Sequence, residues 1–300
     1  MRTLCLLVLA HTLLCAQTTA ERIDAILKSS SSGRRGVWGM QVVNLTSGET
    51  LFEFQQDRFF MPASTAKLFS TALALDRLGP GYRFVTTVAA GNAPNTTGII
   101  AGDLRLIGGG DPTLSGRPVP YRKGAAPGNP LDAIEELADQ IVARGVRRIE
   151  GDIVGDDTAY EWEPLPNGWA QDDALWSFGA PVSALAIGEN RISLTLSPGR
   201  KAGDPAVLRL SPPLEYMLID NRVRTVSGGE ASLHMERTPG SRQIRLWGAL
   251  PLRGGAVSRL LAVGDPAEFA EAALSEALTR RGVVVSGRPV ARHRFRLDNM

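Results

Sequence analysis

The sequence predicts an α+β protein in which a small strand-and-helix unit precedes a longer, mainly β region. Three observations predict this organisation. Residues 37–54 alternate like a hairpin, an apolar stripe at helical spacing follows Ser64, and short β-rich runs separated by glycine and proline recur from about 84 to 264. The chain has 300 residues, of which 43% are hydrophobic and 21% charged, enough for one large domain or two ordinary ones.

The first twenty residues are expected to be a signal peptide. Arg2 supplies the positive start, and the apolar segment from Leu4 to Leu14 is too short to cross a bilayer. Cleavage is expected after Ala20 or after Ala16. No later stretch is long and apolar enough for a membrane span. The sequence therefore predicts an exported protein of the periplasm or extracytoplasmic cell envelope, with no transmembrane segment.

The small unit is predicted element by element. Residues 20–27 form a short helix. Val37–Leu45 and Thr50–Phe54 alternate like strands, and the polar residues 46–49 between them make a hairpin turn. The helix that follows Ser64 carries leucines at helical spacing and ends at Gly79, which precedes a proline.

The longer region is predicted to be mainly β with two helices. The helices are Leu131–Arg144, closed by a glycine, and Pro266–Arg281, which a strand starting at Val283 follows. The predicted strands share β-branched and apolar residues between glycine or proline turns: Phe84–Ala90, Gly98–Leu106, Arg148–Val154, Arg191–Leu196, Ala206–Leu210, Ser232–Arg237 and Gln243–Leu250.

Ser64 and Lys67 are the candidate catalytic residues. The Ser-x-x-Lys spacing puts a hydroxyl and an amine on one face of a helix, where the amine can take the proton of an attacking serine. Ser64 is expected in the first helical turn, whose N–H groups favour a developing anion. Apolar neighbours are expected to desolvate Lys67 and lower its pKa. The alternative interpretation makes Ser64 a helix N-cap and Lys67 a solvated surface residue.

Other chemistries find less support in the sequence. A net charge of +2 gives no strong attraction to nucleic acid. The two cysteines, Cys5 and Cys15, lie in the predicted signal peptide, so the mature chain should have no disulfide. No cluster of His, Cys and carboxylate residues has metal-ligand spacing, and no cofactor is predicted. A Ser-His-Asp triad is not excluded, but His234 lies in an alternating strand and is expected at its surface.

Three further patterns are interpreted as structural. The glycines at 108–110 lack the lysine of a phosphate-binding loop and predict a tight turn. Asp156 and Asp157 are neighbours in a strand, so their carboxylates should face opposite sides. Four aromatic residues are expected to pack in a core or loop, although they are also the best sugar-binding candidates: Trp162, Trp169, Trp176 and Phe178.

Several stretches together resemble the D-alanyl-D-alanine carboxypeptidase/endopeptidases of the penicillin-binding protein 4 type, the class C low-molecular-mass penicillin-binding proteins. The resemblance runs from about residue 23 to 290. The stretches that carry it are Met61–Lys67, Gly102–Leu114, Ala180–Leu185 with Glu189–Arg191, and Asp265–Ala270.

The resemblance implies a penicilloyl-serine-transferase-like domain, that is, a β-lactamase/transpeptidase-like domain, interrupted by inserted β-rich domains. The expected organisation is a signal peptide at 1–20, the start of the catalytic domain at 21–84, inserted domains at 85–264, and a helix and strand at 265–300 that return towards the catalytic domain. The implied activity is serine-type D-Ala-D-Ala hydrolysis of peptidoglycan stem peptides. Ser64 would be the nucleophile, Lys67 its base, and β-lactam antibiotics would acylate the site.

The sequence departs from this family in lacking two motifs. Enzymes of this chemistry also use Ser-x-Asn and Lys-Thr-Gly, and neither occurs in the 300 residues. The chain is therefore expected to be C-terminally truncated relative to the family, with half of the oxyanion hole absent and activity impaired. The alternative is a non-catalytic peptidoglycan-binding protein or a decayed fragment. The sequence leaves open the preference for carboxypeptidase or endopeptidase action and the oligomeric state.

Overall fold

The computed structural model describes residues 18–120, 122–126, 128–238 and 240–296. The predicted signal peptide lies outside these residues except for its last three positions. The described chain divides into two compact units, with the boundary between Tyr82 and Arg83, close to the expected boundary after residue 84.

The first unit consists of short helices and one hairpin. Helix α1 spans Thr19–Ser29 and α2 spans Ser31–Arg35. Strands β1 (Met40–Val43) and β2 (Thr50–Phe54) pair antiparallel, as the alternation predicts. A one-turn 3₁₀ helix at Ala63–Thr65 then leads into α3, which spans Ala66–Leu78.

Local side-chain chemistry fixes the ends of these elements. Thr18 caps α1 by accepting a hydrogen bond from the Glu21 N–H, while the Glu21 carboxylate accepts from the Thr18 N–H. Asn44 Oδ1 accepts the Thr46 N–H at 2.9 Å and so shapes the hairpin turn. Gly79 has φ of 76° and closes α3, where the sequence predicts the helix to stop.

The first unit has no buried residue among positions 18–82. The apolar stripe of α3 is in contact with solvent: Leu68 is 71% exposed, Leu75 is 59% exposed and Leu78 is 51% exposed. A helix of this length depends on the packing of its apolar face for most of its stability. The stripe that predicts the helix therefore has no covering layer within the first unit.

Within the described residues, the second unit contains thirteen strands and two long helices. Helices α4 and α5 span Asp132–Ala143 and Pro266–Arg280. The strands are β3 (Thr87–Ala90), β4 (Ile99–Ile100), β5 (Leu104–Ile107), β6 (Arg148–Ile149), β7 (Ile153–Glu161), β8 (Arg191–Ser197), β9 (Val207–Ser211), β10 (Leu218–Val226), β11 (Ser232–Arg237), β12 (Gln243–Pro251), β13 (Val257–Ala262), β14 (Val284–Val285) and β15 (Pro289–Arg294).

These strands form four sheets. One has the order β15-β7-β5-β3, with parallel pairing of β15 to β7 and of β7 to β5, and a smaller parallel sheet has the order β14-β6-β4. The other two have the orders β13-β8-β9 and β10-β12-β11. Parallel pairing of β5 with β7 needs a crossover connection, which α4 supplies.

Residues 265–296 belong to the second unit. Helix α5 packs against β7, β15 and α4, and its apolar residues are fully buried, Phe269, Leu274 and Leu278 among them. Strand β15 pairs with β7. A shared core therefore holds this segment within the second unit, and the expectation that 265–300 return towards the catalytic domain stays a prediction.

Two glycines permit close packing within the second unit. A Cβ on Gly155 in β7 would lie 2.1 Å from the carbonyl oxygen of Ala267, so only glycine allows α5 to approach the sheet so closely. Gly110 has φ of 82° and donates its N–H to the Ala184 carbonyl at 2.8 Å. The glycines at 108–110 therefore make the predicted tight turn and serve backbone packing.

The two units should differ in local stability. Burying a leucine side chain contributes about 1.5–3 kcal/mol, and a whole domain has a margin of only about 5–15 kcal/mol. We expect backbone amides in 40–54 and 66–78 to exchange hydrogen much faster than those in 98–250, measured by hydrogen-exchange mass spectrometry on the purified chain. Equally slow exchange in all these ranges would contradict the expectation.

Candidate active site

Ser64 and Lys67 are in hydrogen-bond contact. Lys67 Nζ donates to Ser64 Oγ at 3.1 Å, the contact that the Ser-x-x-Lys spacing predicts. An amine at this distance is placed to accept the hydroxyl proton when it is itself deprotonated. The pair is thus arranged for activation of a serine nucleophile.

The backbone around Ser64 differs from the prediction in one respect. Ser64 lies in the 3₁₀ turn Ala63–Thr65, one step before α3, and not in the first turn of the α-helix. The Pro62 carbonyl accepts the Thr65 N–H at 3.0 Å and also the Thr65 hydroxyl. Ala63 has φ of 44°, in the left-handed region that disfavours alanine. Such backbone strain costs about 1–3 kcal/mol and clusters at functional sites.

The expected burial of Lys67 is not found. Both Ser64 and Lys67 are exposed, as are the leucines of α3 around them. No residue among positions 18–82 is buried, so the first unit provides no layer that encloses the pair. The prediction of a desolvating apolar environment is wrong for this unit, because apolar neighbours along one helix do not enclose a side chain unless a second layer packs on them.

A second polar cluster contains serine, histidine and aspartate, but in the wrong order for a triad. His293 Nδ1 lies 2.9 Å from Asp157 Oδ1, and His293 Nε2 lies 3.0 Å from Asp265 Oδ2. Ser183 donates to the other oxygen of Asp157 at 2.8 Å. A triad requires the serine hydroxyl on the histidine nitrogen. Both ring nitrogens of His293 are hydrogen-bonded to carboxylates, so neither is available to a serine hydroxyl and this cluster does not activate a serine.

The charge of His293 is stabilised by its two partners. Burial alone would lower the pKa of His293, but the hydrogen bonds and negative charges of Asp157 and Asp265 outweigh it and raise the pKa to about 9. The imidazole also stacks on Trp162 at a centroid separation of 4.2 Å. The sequence did not reveal this cluster, because Asp157 and His293 are 136 residues apart and only the pairing of β15 with β7 brings them together.

The first turns of α5 carry further carboxylates. Asp265 is the N-cap and accepts the Glu268 N–H at 3.1 Å. Glu271 is buried, and burial together with the nearby negative charges raises its pKa to about 8, so it retains its proton at neutral pH. Among the described residues, no group of His, Cys, Asp and Glu side chains has the arrangement needed to hold a metal ion.

The adjacent carboxylates Asp156 and Asp157 have separate partners, as their alternation in β7 predicts. Asp156 pairs with Arg105 at 2.5 Å, and burial, which would raise its pKa, is outweighed by hydrogen bonds from Thr158 and Arg105 that lower it. Asp157 faces Ser183 and His293. They do not form a shared acid–base site.

The other stretches that carry the family resemblance have structural roles in the second unit. Asp103 Oδ1 accepts the Asp152 N–H at 2.8 Å and ties β5 to the start of β7. Ser183 both donates to Asp157 and accepts the Leu185 N–H at 3.0 Å. Asn190 Oδ1 accepts the Ile187 N–H at 3.2 Å. These residues hold loops and strands in place.

A serine hydroxyl beside a lysine amine, in a mixed helix-and-sheet chain, is the arrangement expected for penicilloyl-serine-transferase-like proteins of the penicillin-binding protein 4 type. The sequence model of the D-Ala-D-Ala carboxypeptidase 3 (S13) family matches residues 19–294, and the chain belongs to that family.

Known proteins resemble the chain over most of its length. A D-alanyl-D-alanine carboxypeptidase of Actinomadura sp. is 34% identical over 274 residues, which cover 89% of this chain and 48% of that relative. Carboxypeptidase DacB of Mycolicibacterium smegmatis is 32% identical over 170 residues, covering 56% of this chain and 34% of the relative. The chain thus matches half or less of each of these relatives.

The solved structure of penicillin-binding protein 4 (DacB) from Haemophilus influenzae has the same fold. Its TM-score is 0.70 at 19% sequence identity, and the match covers 86% of this chain and 54% of that one. A second structure of the Haemophilus protein is a complex with a β-lactam. No helix in the described part of the chain has the length and apolarity of a membrane span.

Substituting His293 should reveal a pH-dependent contribution to stability. The folded pKa of about 9 exceeds the ordinary value of 6.5, so this contribution is complete below about pH 6.5 and is lost as the pH rises to about 9. His293→Gln leaves Asp157 buried without its cation, which should cost about 3–5 kcal/mol at pH 6.

Denaturant unfolding at several pH values measures this effect, with His234→Gln, at an exposed histidine, as the matched control. The stability difference between the parent chain and His293→Gln should narrow between pH 6.5 and pH 9. A difference that stays constant over this range would exclude His293 as the titrating group.

Proposed function

We propose that this chain carries the nucleophile of a serine-type D-Ala-D-Ala carboxypeptidase or endopeptidase that acts on peptidoglycan stem peptides. The observation that supports it most directly is the 3.1 Å hydrogen bond between Lys67 Nζ and Ser64 Oγ in a chain of the D-Ala-D-Ala carboxypeptidase 3 family. Activity at peptidoglycan implies that the protein is exported to the periplasm or another extracytoplasmic part of the envelope.

The proposed reaction proceeds through an acyl-enzyme. Ser64 Oγ attacks the carbonyl carbon between the two D-alanines, and the deprotonated amine of Lys67 accepts the hydroxyl proton. The C–N bond breaks, and the departing D-alanine amine takes a proton. Water then hydrolyses the Ser64 ester and releases the shortened peptide. A β-lactam would acylate Ser64 through the same attack, with the ring amide as the bond that breaks.

Ser64 and Lys67 alone are not expected to give full activity. Neither Ser-x-Asn nor Lys-Thr-Gly occurs in the 300 residues. Removal of one oxyanion-hole donor reduces the rate about 10²–10³-fold, so a site without the donor that the Lys-Thr-Gly strand provides in the family should acylate slowly. The exposure of α3 is consistent with a catalytic layer that these residues do not include.

Labelling with a fluorescent penicillin tests the nucleophile assignment. The chain is compared with a hybrid in which the part of the Actinomadura relative beyond the aligned region follows residue 296. We expect strong labelling of the hybrid and at least 100-fold slower labelling of the chain alone. In the hybrid, Ser64→Ala should abolish labelling, while Ser70→Ala, at an exposed serine of the adjoining helix α3, should leave it unchanged. Equal labelling after Ser64→Ala would show that the nucleophile is another residue.

A non-catalytic role in cell-wall binding is the second candidate. It is favoured by the contrast between the second unit, which has an extensive core, and the first, which buries nothing among residues 18–82. Sedimentation with purified peptidoglycan separates the two functions. Retention of both the chain and its Ser64→Ala variant, without penicillin acylation of either the chain or the hybrid, would favour this second candidate over catalysis.

A further inference from the structure

The second unit contains a cavity of about 1200 Å³ that shares no residue with the Ser64 site. It lies where the ends of β11 and β12 meet the first residues of α5 and the 3₁₀ turns after Ala170. Three aromatic side chains contribute to its wall: Trp162, Trp176 and Tyr216. Ligand cavities for small molecules measure about 300–1,000 Å³, so this one has room for a ligand as large as a short peptide.

Arg237 places a positive charge in the wall of this cavity. Its guanidinium donates to the carbonyl of Ala174 at 3.2 Å and to the carbonyl of Ala262. Within the described ranges no carboxylate forms an ion pair with Arg237, whereas the neighbouring Arg242 has Glu268 at 3.6 Å. The lining also holds the carboxylates of Asp172, Glu236, Asp265 and Glu268, and the last three already lie beside Arg245, His293 and Arg242. The guanidinium of Arg237 meets only neutral carbonyls and therefore favours an anion from outside the chain.

The aromatic residues of the wall fit an aliphatic ligand better than a stacked sugar ring. One face of Trp162 is covered by His293, and Tyr216 has Phe269 against it edge to face, with Arg242 over its ring at 5.7 Å. The rest of the lining includes apolar side chains such as Leu175 and Met235. These surfaces suit the methyl and methylene groups of short peptides.

Strand β11 supplies an independent reason to expect a peptide. It is the outer strand of the β10-β12-β11 sheet, and its last three residues, Met235–Arg237, line the cavity. An outer strand pairs on one side only, and a peptide in extended conformation can hydrogen-bond along the other side. The positive charge of Arg237, the last residue of β11, would then lie close to one terminus of a bound peptide.

We propose that this cavity binds a short extended peptide whose free carboxylate pairs with Arg237 and whose aliphatic groups pack against Trp162, Trp176 and Tyr216. The site is separate from the acylation chemistry proposed for Ser64. Its recognition element is a carboxylate next to a peptide backbone, which either a cell-wall stem peptide or the C-terminus of a protein could provide.

Fluorescence anisotropy with synthetic peptides tests the proposal on the full chain. The first probe is a fluorescein-labelled stem tetrapeptide, L-Ala–γ-D-Glu–L-Lys–D-Ala, which has a free terminal carboxylate and no D-Ala–D-Ala bond. The second is an all-L tetrapeptide of the same composition. Binding of the first alone indicates a wall peptide as the ligand, and binding of the second alone indicates a protein C-terminus. If neither binds, the proposal is wrong.

Matched variants locate the bound peptide. Arg237→Gln should weaken binding at least tenfold, while Arg259→Gln, at an exposed arginine of β13, should leave it unchanged. Because Arg237 also holds two carbonyls, its variant could lose structure. Gln243→Glu avoids this difficulty, since it adds a negative charge to the cavity lining at constant size and should also weaken binding at least tenfold. Unchanged binding by Gln243→Glu would overturn the proposal.

Two further controls separate this cavity from the acylation site and test the carboxylate. Prior treatment with benzylpenicillin, continued until mass spectrometry shows that Ser64 is acylated, should leave peptide binding unchanged, and loss of binding would place the peptide at Ser64 instead. Replacing the terminal carboxylate of the probe by an amide should weaken binding about tenfold or more. Equal binding of the amide would exclude pairing of that carboxylate with Arg237.

Discussion

The contact on which the second unit most depends is the bridge made by His293 between two carboxylates. Asp157 belongs to β7, His293 to β15, and Asp265 is the N-cap of α5, so one imidazole joins a central strand, an outer strand and a helix. A buried carboxylate is costly unless it is paired. Protonated His293 is the paired cation for Asp157, and its ring also stacks on Trp162. These contacts hold the N-terminal end of α5 beside β7 and β15.

The same helix brings structural and electrostatic features into one place. Gly155 lets α5 approach β7 closely, and the first turns of α5 then bring Asp265 and Glu268 to the cavity that also contains Arg237. Glu271, one turn further, is buried and neutral at neutral pH. The packing of α5 on the sheet that contains β7 therefore determines both the buried core there and which charged residues line the cavity.

The two units use their apolar residues differently. In the second unit, the apolar residues of the predicted helices and strands are buried in one continuous core that includes Ile134, Leu194 and Leu246. In the first, α3 has an equally clear apolar stripe, but its leucines stay exposed. The Ser64–Lys67 pair forms there nevertheless, because its geometry is set within one turn of local backbone and needs no second layer. Enclosure of that pair, in contrast, requires residues from a covering element.

The sequence by itself determined the local elements and the reactive pair. It predicted the hairpin at 40–54 and both long helices, because side-chain periodicity and end-capping residues act over a few positions. The spacing of Ser64 and Lys67 fixed their contact in the same way. It merged separate strands in two places, since Gly98–Leu106 and Arg148–Val154 each cover parts of two strands, and it did not predict β10 or β13.

Only the tertiary structure decided which distant residues meet. His293 binds Asp157 and Asp265, and Arg237 lies in a cavity with Trp162, through strand pairings between segments far apart in the chain. No local pattern encodes such pairings, because they depend on the free energy of packing whole elements together. For the same reason the sequence could place an amine beside Ser64 but could not determine whether Lys67 would be buried, since burial is a property of the layer that packs on a helix and not of the helix itself.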